Sequence, residues 1–326
     1  MKRIVSLLAA LLLAAAVFTG CGKKTPAEAV PVRLGGLKGP TSMGMVKLLD
    51  DAEQKKTENE YEYTLAVAAD ELTPKLLKGE LDIAAVPANL ASVLYHNSDG
   101  AIRVIAVNTL GVVCLVEKGG ETVKTVADLK GQTVYATGKG TTPGYALSYL
   151  LTQSGLDPEK DVTIEWKSEP TEVVAQMAAL DHAVAMLPQP FVTVAKNQLS
   201  DLRVAVDLTE AWDALDNGSR LVTATLIVRS DFAEEHSEEV KTFLKEYAAS
   251  ADYVNENPKE ASLLVEKFGI VKAAIAEKAI PECNIVCLTG NEMKTAVSGY
   301  LSVLFGQEPK SVGGKLPDDD FYLLFE

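Results

Sequence analysis

A chain of 326 residues, 47% hydrophobic and 23% charged, is long enough for two ordinary domains with sizeable cores. Its formal net charge of -14 at pH 7 excludes nucleic acid and anionic lipid surfaces as natural partners, since both would repel it. In chain order, Met1-Lys2-Arg3 is a short basic start, residues 4–17 are an uncharged apolar run, and Phe18-Thr19-Gly20-Cys21 ends that run with small residues before a cysteine. This pattern predicts an export signal over residues 1–20. The run is shorter than the ~20 residues a bilayer span needs. Loss of Lys2 and Arg3 would take the side-chain charge from -14 to -16. Residues 21–30, with Lys23, Lys24, Pro26 and Glu28 and no periodicity, read as a solvated tether.

The remainder alternates strand and helix. Residues 32–36 read as a strand, and Met45, Val46, Leu48, Leu49 and Ala52 follow at helical spacing. Residues 63–68 are strand, 72–78 helix and 82–86 strand; a helix follows Pro87, and 102–107 are strand. The order then repeats. Residues 133–137 are strand, Thr142-Pro143 opens a helix with Thr as cap and Pro in its first turn, and 162–166 are strand. A helix with Val173, Val174 and Met177, strand 184–187, a helix after Pro190 and strand 203–206 complete the second series. Each series favours a mostly parallel sheet.

After one more strand, 223–228, the pattern is nearly all helix. Val240, Phe243, Leu244, Tyr247, Ala248 and Ala251 form one apolar stripe. Asn257-Pro258 caps a helix carrying Leu263, Leu264 and Phe268, and Met293, Ala296, Val297, Tyr300, Leu301 and Leu304 form another stripe. These are packing faces, expected against the first sheet. The run 111–117 would then be the outward crossing between lobes and 223–228 the return. Two crossings allow a hinge.

The expected division is a first lobe of residues 31–115 with 222–326 and a second of 116–221. Lys38 and Lys139 are 101 positions apart, and so are Pro87 and Pro188, so two matched halves are predicted. Loops that leave strands and open helices lie at the carboxyl edge of an α/β sheet, where ligands bind. The turns Lys38-Gly39-Pro40-Thr41-Ser42 and Gly138-Lys139-Gly140-Thr141-Thr142 are therefore the first candidate contacts. Their glycines allow close backbone approach and their hydroxyls donate or accept, although Ser and Thr also serve as plain helix caps.

Lys38 and Lys139 suit an anionic group or point to solvent. Asp70 and the Ser168-Glu169 pair follow the second strand of each half, as ligand contacts or as first-turn helix charges. Pro87-Ala88-Asn89 and Pro188-Gln189 end the third strands; Asn108 and Thr109 end the fourth. Trp166 and Trp212 could stack on a ring, but a lone tryptophan is more often core. Cys114 sits in an apolar run as a small hydrophobe, Cys283 and Cys287 could share a helical face or bridge, and His96, His182 and His236 are scattered. No four-ligand metal cluster is spelled out.

Several segments carry a family resemblance. Phe18-Thr19-Gly20-Cys21 resembles a bacterial lipobox, which implies cleavage before Cys21 and lipidation of its thiol, hence an extracytoplasmic chain held to the membrane by lipid alone. With Gly35-Gly36-Leu37-Lys38-Gly39-Pro40-Thr41, Asp82-Ile83-Ala84-Ala85-Val86-Pro87-Ala88-Asn89, Ala127-Asp128-Leu129-Lys130-Gly131 and Met186-Leu187-Pro188-Gln189-Pro190, the mature chain resembles the solute-binding lipoproteins of ABC importers. The group is the one related to nitrate, sulfonate, taurine and thiamine-precursor binding proteins. The resemblance implies the type II periplasmic-binding fold: two α/β lobes, each a mixed, mostly parallel sheet flanked by helices, joined by two hinge strands. It also implies one small polar organic solute (sulfonate-, nitrate- or carboxylate-, or pyrimidine-like) in the cleft, a permease driven by a cytoplasmic ATPase, no cofactor, and a monomer. Menaquinone- and thiamine-pathway enzymes share such folds, but no catalytic set or phosphate loop is present. A ligand-sensing lipoprotein for a signalling partner stays open.

Overall fold

The computed structural model describes residues 31–325; the export signal, the lipobox with Cys21 and the tether lie outside these residues. Two mixed sheets organise the chain. The first contains β1 (Val32–Leu37), β2 (Tyr61–Ala66), β3 (Ile83–Pro87), β4 (Ile102–Leu110), β10 (Val222–Arg229) and β11 (Ile285–Leu288), in the order β11-β4-β10-β3-β1-β2. The second contains β5 (Val113–Lys118), β6 (Thr133–Ala136), β7 (Thr163–Trp166), β8 (Ala183–Pro188) and β9 (Leu202–Asp207), in the order β7-β6-β8-β5-β9.

Without β11 the two orders are the same. In each sheet the first parallel strand lies between the second and third, and an antiparallel strand separates the third from the fourth. That antiparallel strand is, in both cases, the one the chain makes on arriving from the other sheet. Register confirms the correspondence: Leu34 pairs with Ile83 and Val134 with Val184.

The outward crossing is shorter than the sequence predicts, and the return crossing is longer and lies earlier in the chain. β5 belongs to the second sheet from Val113 onward, so the outward passage is Gly111 and Val112 rather than 111–117, and the expected 115/116 boundary falls inside a strand. Likewise β10 is a central strand of the first sheet, and the return passage is residues 208–221, including the helix Leu208–Asp213. The two passages touch: a Cβ added to Gly111 would meet Thr209 Oγ1 at 2.1 Å.

Burial follows the stripes. Helix Ser237–Glu256 presses Phe243 and Tyr247 against one face of the first sheet, with Leu34, Met43 and Ile83. Helix Gly290–Gln307 buries all six predicted stripe residues in a core that runs into the second lobe and includes Leu147 and Trp212. A third core, with Val173, Met177 and Val192, covers the other face of the second sheet. One stripe residue departs from expectation. Leu263 is 65% exposed, because helix Pro258–Lys267 turns Ala261, Ser262 and Val265 inward.

Buried ion pairs stand at the sheet ends away from the chain passages. The Asp82 side chain, wholly buried, accepts Arg33 Nε at 2.8 Å and Arg33 Nη2 at 2.6 Å. In the second lobe the buried Glu117 carboxylate is met by Arg203 and His182.

Candidate functional site

The carboxyl ends of β1, β3, β6 and β8 and the starts of β5 and β10 lie on matching edges of the two sheets. Val113 pairs with Pro188 and Ala224 with Pro87, so each antiparallel strand begins where its neighbour ends. Pro87 and Pro188, both half-buried, stop the ladder and release the chain into the helices Ala88–Asn97 and Phe191–Gln198.

In the first lobe, Gly39 takes φ 132°, in the range that favours glycine, and precedes the short helix Pro40–Met43. Thr41 and Ser42 both donate their hydroxyls to the Leu37 carbonyl, at 3.1 and 2.6 Å. Tyr63 donates to Ser42 Oγ at 2.7 Å. The Ser42 hydroxyl is thus engaged both as donor and as acceptor inside the lobe, whereas Thr41 retains acceptor capacity. Gly36 is required beneath this turn, since a Cβ there would lie 2.3 Å from Ser42 Oγ. Buried Asn108 donates to the Thr41 carbonyl at 2.9 Å, but its Oδ1 has no partner among the described residues, and neither has the Thr109 hydroxyl.

In the second lobe, the Gly138 carbonyl gathers Thr141 N at 3.1 Å, Thr141 Oγ1 at 2.9 Å and Gly144 N at 3.2 Å. This closes the loop and turns the Thr141 hydroxyl away from capping its own helix, Thr142–Gln153. Gly138 and Gly140 both have positive φ, 83° and 74°. Thr142, buried at the helix start, donates to Asn89 Oδ1 at 3.3 Å, a direct hydrogen bond between the lobes. Asn89, just after buried Ala88, donates in turn to the Ser311 carbonyl at 3.2 Å. Buried Gln189 receives Thr193 Oγ1 on its Oε1 at 3.0 Å, and its own N–H donates to Val112 O at 2.8 Å, beside the outward passage.

The charged candidates stand apart from this buried set. Lys38, Asp70, Lys139 and Glu169 are exposed, and so is the neutral Ser168. Asp70 lies in the first turn of Ala69–Leu77 and Glu169 at the cap of Pro170–Ala178. The residues that correspond here are Glu71 and Glu172, separated by 101 positions. Glu71 accepts Val67 N and Ala68 N at 3.0 and 2.9 Å, and Glu172 accepts Ser168 N at 3.0 Å. Both satisfy free N–H groups at helix starts.

The lysine pair is looser than its spacing suggests. Lys38 follows β1 directly, whereas Lys139 stands three residues beyond β6 in a longer turn.

Sequence reasoning missed Tyr300 and the threonines of β10. Tyr300 is wholly buried on Gly290–Gln307 beside Thr142, yet its hydroxyl lacks a hydrogen-bond partner among the described residues, as do the hydroxyls of Thr223 and Thr225. A polar residue inside the otherwise apolar run 224–228 was the available signal for Thr225. Unpartnered buried hydroxyls are costly, and here they collect around the junction of the lobes.

Trp212 is core: it lies between Tyr149 of the second lobe and Tyr300 of the first, at ring distances of 4.8 and 5.6 Å. Cys283 and Cys287 are free; Cys283 ends a 3₁₀ turn and Cys287 lies within β11, so they do not share a helical face. Burial pushes the Cys114 and Cys287 thiols up to about 12. The buried set is therefore neutral, made of hydroxyls, amides and backbone groups, and suited to hydrogen-bonding a polar solute.

Over residues 47–279 the chain matches the family model described as the ABC transporter, phosphonate, periplasmic substrate-binding protein. Among curated proteins none matches it. Among solved structures, an ABC transporter protein from Parabacteroides distasonis is 25% identical, with TM-score 0.76, over 91% of this chain and 99% of that one. The periplasmic aliphatic sulphonate binding protein SsuA from Escherichia coli is 18% identical, with TM-score 0.71, over 87% of this chain and 90% of that one. The periplasmic nitrate-binding protein NrtA from Synechocystis PCC 6803 is 15% identical, with TM-score 0.57, over 73% and 66%. The last two show the shared two-lobed fold, the type II periplasmic-binding architecture. Proteins of this kind work outside the cytoplasm, bind a small-molecule solute for a permease, and are not enzymes. Because the family model spans more than two-thirds of its length, the chain belongs to the family of ABC-transporter phosphonate periplasmic substrate-binding proteins.

Proposed function

We propose that this protein, tethered by lipid at Cys21 and monomeric, captures a small organic oxyanion between its lobes and delivers it to an importer permease. The observation that carries the reading is the Thr142 to Asn89 hydrogen bond of 3.3 Å, made where the carboxyl edges of both sheets meet. Around it stand buried groups without partners, Asn108 Oδ1 and the hydroxyls of Thr109, Thr225 and Tyr300. The three hydroxyls can donate to phosphonate, sulfonate, nitrate or carboxylate oxygens, whereas Asn108 Oδ1 is an acceptor that suits a hydroxyl or N–H of the solute, and hydroxyls also accept from a pyrimidine-like ring. The family name favours a phosphonate.

Lobe motion would pivot on Gly111-Val112 and the passage 208–221, and a solute with higher affinity for the closed form supplies the shift. The turns 38–42 and 138–142, with Asn89 and Gln189, are the proposed walls, and exposed Lys38 and Lys139 supply long-range attraction to an anion in an otherwise acidic chain. The test is a melting-temperature screen of the mature chain against methylphosphonate, ethanesulfonate, nitrate, acetate and an aminopyrimidine. A ligand at 100 times its Kd adds about 2.7 kcal/mol of apparent stability. A rise confined to the oxyanions supports the reading, and a rise with the pyrimidine alone overturns it.

A further inference from the structure

Beside the second lobe's turn lies a cavity of about 540 Å³ that none of the contacts above uses. Gly144, Tyr145, Val162, Ile164 and Trp166 line it, together with the charged side chains of Lys139, Glu159 and Lys160. It runs from the Gly138–Gly140 loop, which is one wall of the cleft, along the edge strand β7. Trp166, the last residue of β7, keeps its indole partly exposed. Gly144 makes this placement possible: a Cβ there would stand 3.2 Å from Trp166 Cη2 and 2.6 Å from the Gly138 carbonyl.

Tyr145, half-buried, lines the cavity on the first turn of Thr142–Gln153. At the far end, Lys160 is paired with Asp157, so Lys139 is the cation of this cavity without an ion-pair partner among the described residues. Two aromatic faces, an aliphatic floor and one cation at the cleft side describe a subsite for a planar ring whose acidic substituent stays in the cleft.

We propose that the cavity between Tyr145 and Trp166 receives the aromatic ring of the solute, so that this protein's ligands are aryl or heteroaryl oxyanions rather than small alkyl ones. The inference rests on the capture of an oxyanion between the lobes. Nothing covalent occurs. The ring displaces water from Trp166 and Tyr145, and the oxyanion keeps the hydroxyl and amide donors of the cleft.

The chain has two tryptophans, and Trp212 is fully buried, so Trp212→Phe leaves Trp166 as the sole indole reporter. Calorimetric titration of the mature protein with phenylphosphonate and methylphosphonate should show a preference of about tenfold for the phenyl ligand, the upper end of an aromatic pair. Phenylphosphonate, and not methylphosphonate, should shift the Trp166 emission. Trp166→Leu should reduce the preference to within about threefold, and Tyr145→Leu should do the same if the first variant fails to fold. Equal affinity for the two phosphonates, or a preference untouched by both substitutions, overturns the subsite and leaves oxyanion capture standing. Binding of neither phosphonate, while another oxyanion of the melting screen binds, overturns the subsite's ligand class and leaves oxyanion capture standing; binding of no oxyanion at all overturns both.

Discussion

Replacing Glu117 by Gln should destabilise the second lobe by a predictable, pH-dependent amount. The carboxylate is wholly buried and accepts Thr122 N at 2.8 Å, Thr122 Oγ1 at 2.6 Å, Val123 N at 3.2 Å and His182 Nε2 at 3.1 Å, with Arg203 Nη2 as a fifth donor. Burial alone would raise its pKa, but the donors of Thr122, His182 and Val123 outweigh that and pull it from 4.5 to about 2. At about 1.4 kcal/mol per unit, the charged form is favoured in the folded state by about 3 kcal/mol. A depressed carboxylate contributes stability that is complete above its unfolded pKa and is lost as pH falls toward the folded one. Gln keeps the shape but places an amide among donors, so Glu117→Gln should cost about 3 kcal/mol at pH 7, or about 6 °C of Tm in a chain this size. At pH 3 the difference should shrink to about half. Urea unfolding followed by circular dichroism at both pH values measures this. A difference below 1 kcal/mol at pH 7, or one unchanged at pH 3, would refute the reasoning.

Thr142→Val removes the donor to Asn89 at the lobe junction; affinity for the stabilising oxyanion should fall about fivefold, with the loss of one neutral hydrogen bond that holds the closed form, while ligand-free Tm moves by under 2 °C. Calorimetry and a melting scan report the two effects separately. Gly144→Ala would put a Cβ 2.6 Å from a backbone carbonyl and should cost about 1–3 kcal/mol as an overpacked contact, read by urea unfolding. With thiols raised by burial, Cys114, Cys283 and Cys287 of a Cys21→Ser chain should resist a disulfide reagent at pH 8 and all three react after denaturation.

How much was legible follows from the physics of each signal. Strands buried on both faces are continuous apolar runs, so 83–86 could be read directly, whereas the run 111–117 reads as a crossing although β5 starts at Val113. The stripe on Gly290–Gln307 was complete because one face of that helix meets the core along its whole length. The 101-residue offset found the right strands and helix starts, since Pro87 and Pro188 end β3 and β8. The acids Asp70 and Glu169, 99 positions apart, do not keep that offset, whereas Glu71 and Glu172 do, and these bond backbone N–H groups that only become free once the helix starts are fixed. The stripe placed Tyr300 in the core but not its neighbours, because Thr142 and Trp212 are far from it in the chain and only tertiary packing brings them beside it.

Closure of two lobes on a captured solute is most directly tested by small-angle X-ray scattering with and without the oxyanion that raises Tm most in the screen. The account predicts a smaller radius of gyration when ligand is saturating, with a profile that matches the structure in which Thr142 meets Asn89. An unchanged radius with a ligand that demonstrably stabilises the protein would contradict it.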